Sequence, residues 1–94
     1  MKAYEIQLST KAKKQLKKLN PQIRDNIIPE IQRLATERFP NQFKHLTKHK
    51  TADYRLRIGD YRVLYDVYDQ DEVVLILVVG HRRDVYRLLK RMFD

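Results

Sequence analysis

Val73-Val74-Leu75-Ile76-Leu77-Val78-Val79 is apolar at every position. A run of that length, rich in β-branched residues and without alternation, suits a strand covered on both faces. It predicts a central strand, closed by Gly80, with other elements packed above and below it. In a chain of 94 residues such a strand and its covering layers use most of the core, so one domain spanning 1–94 is expected. The run is also far short of the roughly 20 apolar residues that cross a bilayer.

Just upstream, two alternating segments within Tyr54–Tyr65 are joined by Gly59-Asp60, a two-residue hairpin signal. With Ile58 and Tyr61 flanking the turn, Leu56 lies opposite Val63 and Tyr54 opposite Tyr65 on one face. Arg57 then lies opposite Arg62, and Arg55 opposite Leu64, on the other. One face is apolar and the other carries three guanidinium groups. Like charges directly opposite each other destabilise a sheet, so an anion is expected against that second face.

Tyr4–Leu8 alternates and reads as a first strand, after which Ser9 or Thr10 caps a helix with Ala12, Leu16 and Leu19 as a narrow apolar stripe. Lys11, Lys13, Lys14, Lys17 and Lys18 fill most of the remaining surface. Lys11, Lys14 and Lys18 are candidate RNA contacts, although a solvated helix face explains the same residues. Asn20-Pro21 opens a second helix and completes a helical hairpin, its seam formed by Ile23, Ile27, Ile31 and Leu34 and extended by Ala35. Pro29 predicts a kink or break, and Phe39-Pro40 predicts the end of the helix. Asn41–Asp53 reads as a polar connector holding His45 and His49 among Lys44, Lys48 and Lys50. His45 is a candidate RNA contact; a metal site would need ligands that the local sequence does not supply, so no metal is expected. Asp66, Asp69, Asp71 and Glu72 mark a solvated turn before the central strand.

After Gly80, the segment His81-Arg82-Arg83-Asp84-Val85-Tyr86-Arg87 leads into a short amphipathic helix with Val85, Leu88, Leu89 and Met92. Side chains projecting from a short connection at the end of a central strand are held by a rigid support. Service as a partly buried aromatic anchor is the alternative role for Tyr86. If the hairpin pairs with the central strand, Arg55, Arg57 and Arg62 face the same concavity as His81, Arg82 and Tyr86. Arginines hold phosphate bidentately and stabilise developing charge, Tyr86 can stack on a base or bond a phosphate oxygen, and His81 titrates in a useful range. That set suits metal-free cleavage of RNA through its own 2′-hydroxyl.

Twenty Lys and Arg against twelve Asp and Glu give a net charge of +8, which favours a polyanion or an acidic protein as partner. With no cysteine, disulfides and thiolate metal sites are excluded, and the composition fits a reducing cytosol. The alternating start lacks an apolar signal core, so a soluble cytoplasmic protein without a membrane partner is expected.

The order of elements and the motifs Tyr54-Arg55-Leu56-Arg57-Ile58, Gly59-Asp60-Tyr61-Arg62-Val63-Leu64-Tyr65 and Val79-Gly80-His81-Arg82-Arg83-Asp84-Val85-Tyr86-Arg87 resemble the RelE/ParE toxin superfamily, above all its RelE branch of messenger-RNA interferases. The resemblance covers essentially the whole chain. It implies an α+β fold with an N-terminal strand, a helical hairpin, antiparallel strands in one sheet and a short C-terminal helix. It further implies a toxin of a type II toxin–antitoxin system that enters the ribosomal A site, cuts mRNA there without a cofactor, and is neutralised by an acidic antitoxin, RelB-like or of another family. The family's paired basic positions fall on Arg55 and Arg57, its phosphate-binding arginine on Arg62, its later arginine on Arg82, with Arg83 as the neighbouring choice, and its terminal tyrosine on Tyr86.

Relatives often carry lysine where this chain has Arg55 and Arg57. Lysine can surrender a proton when its pKa is depressed and arginine effectively cannot, so neither arginine is expected to be the general base. His81 is the expected proton-transfer group, with His45 or His49 as substitutes if the connector folds over the groove. The rival readings are a ParE-like gyrase inhibitor and a non-catalytic RNA-binding remnant.

Overall fold

The computed structural model describes residues 2–46 and 51–91. Within them the elements run β1 (Glu5–Leu8), α1 (Thr10–Lys18), α2 (Pro21–Arg33), β2 (Phe43–His45), β3 (Tyr54–Ile58), β4 (Tyr61–Tyr68), β5 (Val73–His81) and α3 (Arg82–Arg91). The strands form one sheet in the order β1-β5-β4-β3-β2. β1 runs parallel to β5, and the other pairs are antiparallel. No helix among the described residues is long and apolar enough to cross a membrane.

The apolar run does lie inside the sheet, and an irregularity lets it serve two cores. Leu64 pairs with Val78 and Tyr65 with Ile76, which leaves Leu77 as an extra residue in β5. Ile76 and Val79 therefore both join the larger core, where Leu56, Val63 and Tyr65 pack against Ala12 and Leu16 of α1 and Ile27 and Ile31 of α2. Val78 turns to the opposite face and packs with Leu64, Ala52 and Val85 of α3. Ser9 ties this irregularity to the start of α1. Its Oγ accepts from the Ala12 amide (3.0 Å) as the N-cap and donates to the Leu77 carbonyl (2.8 Å).

The hairpin register matches the expectation pair for pair, from Tyr54 opposite Tyr65 to Ile58 opposite Tyr61. Gly59 has φ +58° while Asp60 has no positive φ, the pattern of a type II′ turn with glycine at its first central position.

Four expectations about element boundaries need correction. Of the kink or break expected at Pro29, the break does not occur: α2 runs through Pro29, and Pro29 and Asp25 are both exposed, so the Asp25 carbonyl that loses its donor can face solvent. The same helix stops at Arg33, well before Phe39-Pro40. The amides of Leu34, Ala35 and Thr36 tighten onto the carbonyls of Ile31, Gln32 and Arg33, and the Ala35 carbonyl is taken by the Tyr4 amide (2.8 Å) and by Arg38 Nη1 (3.0 Å). The polar connector contains a strand, β2, held by pairing of Phe43, Lys44 and His45 with Leu56, Arg55 and Tyr54. Finally, β5 continues past Gly80 to His81. His49 lies outside the described residues.

Candidate active site

Arg62 sits at the centre of the arginine-bearing face. It is only 5% exposed, and its Nη1 donates to the carbonyls of Gly59 (2.8 Å) and Tyr61 (2.9 Å), strapping the guanidinium to its own hairpin turn. Its Nε donates to the hydroxyl of Tyr86 at 3.3 Å, with the guanidinium carbon 5.6 Å from the centre of that ring. The same turn anchors α3, because the Asp60 carbonyl accepts from the Arg82 amide at 2.8 Å. Val85, buried against Leu64 and Val78, seats the helix and leaves Tyr86, itself 49% exposed, facing solvent. Hairpin, strand and helix thus fix the two groups relative to each other.

Register places the other cations. Arg57 is directly opposite Arg62, and Arg55, two residues back on β3, is on the same face. Burial holds the Arg55 guanidinium below its usual pKa, and the charges of Arg62 and Arg57 push the same way against the opposing pull of Tyr86. The Tyr86 hydroxyl is lowered below the ordinary phenol value, chiefly by its bond from Arg62 and further by the charges of Arg62, Arg55 and Arg82, against a smaller rise from burial. Three arginines that act on one phenol describe a local positive field open to solvent.

A concavity at this end of the sheet is lined by Arg57, Arg62 and Arg82, with Asn26, Glu30 and Arg33 of α2 along its rim. No motif in the sequence marks these three rim residues. Their spacing of four and three along α2 makes a polar stripe that flanks the Ile27 and Ile31 seam, at the border between the buried and exposed sides of the helix.

His81 does not join this constellation. Tyr61 pairs with His81 and Arg62 with Gly80, so alternation along the strands puts Tyr61 and His81 on the face away from Arg62. The His81 ring meets Tyr61 edge-on at 5.5 Å, and its Nδ1 accepts from the Arg83 amide at 3.2 Å, capping the start of α3. It lines a separate groove with Lys11, Lys18 and Arg87. The expectation that His81 shares the arginine concavity is therefore corrected. The single residue by which β5 outruns Gly80 is the reason.

The remaining candidates are dispersed. Lys14 is on the exposed side of α1 and Arg83 on the exposed side of α3. His45 lies 5.2 Å from the ring of Tyr54, on the helix-covered side of the sheet edge. Among the described residues, no group of three or more His, Asp or Glu side chains is arranged to hold a metal ion.

Residues 6–86 match the family model described as the ParE toxin of the type II toxin–antitoxin system parDE. The chain is 34% identical over 85 residues to Toxin RelG of Mycobacterium tuberculosis, covering 89% of this chain and 97% of that protein. Its fold is similar to a chain in the toxin–antitoxin complex RelBE2 from Mycobacterium tuberculosis, with a TM-score of 0.76 and 31% identity over 87% of this chain and 94% of the other. It is likewise similar to a chain of the archaeal RelE–RelB complex from Pyrococcus horikoshii OT3, with a TM-score of 0.73 and 28% identity over 85% and 96% of the two chains. With the family model matched over residues 6–86, a relative 34% identical over nearly its whole length and the fold shared with a toxin of a RelBE complex, the chain belongs to the RelE/ParE superfamily as a RelE-like toxin of the type II toxin–antitoxin class.

Proposed function

We propose that this toxin is a metal-free endoribonuclease that cuts mRNA in the ribosomal A site. The observation that carries the reading is the Arg62–Tyr86 bond, with the charges of Arg55 and Arg82 also acting on the phenol and Arg57 directly opposite Arg62. A protein that only blocks another enzyme has no need of a phenol with a lowered pKa beside three guanidinium groups, whereas phosphoryl transfer uses both.

In the reaction, the 2′-hydroxyl attacks the adjacent phosphorus and the bond to the 5′-oxygen breaks, leaving a 2′,3′-cyclic phosphate and a 5′-hydroxyl. Arg57 and Arg82 clamp the non-bridging oxygens, and Arg62 adds its Nη2 donors from beneath, since Nε and Nη1 are already engaged. Arg55 completes the field that balances charge developing in the transition state. Arginine takes no proton at accessible pH, so Tyr86 in its phenolate form accepts the 2′-proton, and solvent returns one to the departing oxygen. His81 faces the other side of the sheet, which leaves Tyr86 the better-placed base. The partner in storage is an acidic antitoxin, in keeping with the net charge of +8 and with relatives that are found in RelB complexes.

Purified toxin added to ribosomes programmed with a defined message, followed by primer extension, tests this. Cleavage within the A-site codon is expected, and Arg62→Ala and Tyr86→Phe should each slow it by about 10²-fold or more, the usual loss for a preorganised donor or proton acceptor. The family model's description as a ParE toxin supports one other reading, a gyrase inhibitor. Intact message together with gyrase trapped on DNA would establish that alternative and overturn the ribonuclease.

A further inference from the structure

We infer that Lys44 and Arg55 form a second phosphate subsite, one nucleotide from the scissile phosphate, so that the active-site face grips exactly two successive backbone positions. This rests on the ribonuclease reading. Lys44 was part of a connector by sequence, but β2 pairs it directly with Arg55. Arg55 in turn pairs with Leu64, and Leu64 with Val78. The next row toward the turn is Arg57, Arg62 and Gly80. Both rows share one face of the sheet.

The two rows differ in what covers them. Leu64 and Val78 lie beneath Val85 of α3, whereas Arg55 is half-buried and Lys44 exposed, so their row opens to solvent toward β2. Opposed residues bring their Cβ atoms to about 4.5–5.5 Å, close enough for two long cations to hold one phosphate. Successive rows are about 6.6–6.8 Å apart along the strand, the scale of one nucleotide step. Among the described residues, no carboxylate pairs with Lys44, Arg55 or Arg57; the ion pairs present are Lys2–Glu72, Arg33–Glu30 and Arg33–Glu37. A directly opposed Lys–Arg pair followed by a directly opposed Arg–Arg pair is an arrangement that a bound polyanion relieves. The track also has an end. Asp66, two residues beyond Leu64 on β4 and on the same face, accepts from the Asp53 amide at 2.6 Å, and a carboxylate there disfavours a third phosphate.

Single-turnover cleavage on programmed ribosomes tests the subsite, using messages in which each phosphate flanking the cut is in turn a neutral methylphosphonate. One flanking substitution should slow the natural toxin by about tenfold, the scale of one charge-assisted contact. Lys44→Gln should cause a similar loss on natural RNA and no further loss on that neutral RNA, and Lys44→Arg should restore the rate. Losses that multiply overturn the subsite. So does Lys44→Gln cutting natural RNA at full speed, including the case in which it only increases self-association and so marks Lys44 as a guard of the sheet edge. A natural toxin that leaves the message intact overturns the ribonuclease reading itself, and the subsite falls with it.

Discussion

Arg62 Nε donates to the Tyr86 hydroxyl across 3.3 Å while Nη1 of the same guanidinium holds the Gly59 and Tyr61 carbonyls. One buried cation therefore links the hairpin turn to the C-terminal helix. Any change that moves the turn moves the donor set seen by Tyr86, so backbone geometry and phenol chemistry are coupled through a single side chain.

The coupling predicts a tyrosine that titrates below the usual phenol range, because the Arg62 bond and the Arg55 and Arg82 charges favour the phenolate. Ring-labelled tyrosine spectra across alkaline pH should show one such signal, absent in Tyr86→Phe. In Arg62→Ala it should move up toward the ordinary value. With Tyr86 as base, cleavage rises with pH through the lowered pKa, and in Arg62→Ala that limb shifts to higher pH. A titration identical in both proteins would contradict the linkage.

Arg57 is directly opposite Arg62, an arrangement that costs folding free energy. Arg57→Thr should therefore raise stability by about 0.2–1 kcal/mol while cleavage falls by about 10²-fold. Urea unfolding beside single-turnover rates would show the opposite movements. Lower stability in the variant would mean that the arginine pair is not strained.

Tyr65 is fully buried and its hydroxyl donates to the Arg38 carbonyl at 2.6 Å. Burial raises its pKa well above the unfolded value of 10.0, with a smaller push from Tyr54. A folded pKa above the unfolded one means that the stability this group contributes is fully present below pH 10.0 and is lost as pH rises toward the folded value. Tyr65→Phe should cost about 1–2 kcal/mol at neutral pH, since the Arg38 carbonyl loses its donor. The gap to the natural protein should narrow in urea titrations above pH 10.0, and a constant gap would refute the linkage.

Much of this site was legible because a two-residue turn and period-two alternation leave little freedom of register. Arg55, Arg57 and Arg62 follow from that pattern alone, as does the place of the run Val73 to Val79 inside the sheet. Val73, Leu75 and Leu77 are nonetheless only half-buried, and full cover on both faces is reached only at Val78 and Val79. β2 was hidden because Lys44 and His45 carry no apolar alternation. It is held by pairing with β3 and by Phe43, whose ring is 5.2 Å from Phe39 and 6.3 Å from Tyr54. The side taken by His81 was illegible for a different reason. It depends on whether β5 ends at Gly80 or one residue later, and one residue reverses the face. The Asn26, Glu30 and Arg33 rim needed the docking of α2 against the sheet, which helical periodicity does not supply.

The central claim is that Arg55, Arg57, Arg62, Arg82 and Tyr86 promote attack by the RNA's own hydroxyl. A message with a single 2′-deoxynucleotide on the 5′ side of the cut, otherwise unchanged and read on the same programmed ribosomes, isolates that chemistry. Cleavage at that bond should disappear, and natural RNA should yield a 2′,3′-cyclic phosphate and a 5′-hydroxyl. Undiminished cleavage of the deoxy-substituted bond, with a 5′-phosphate at the product end, would contradict it.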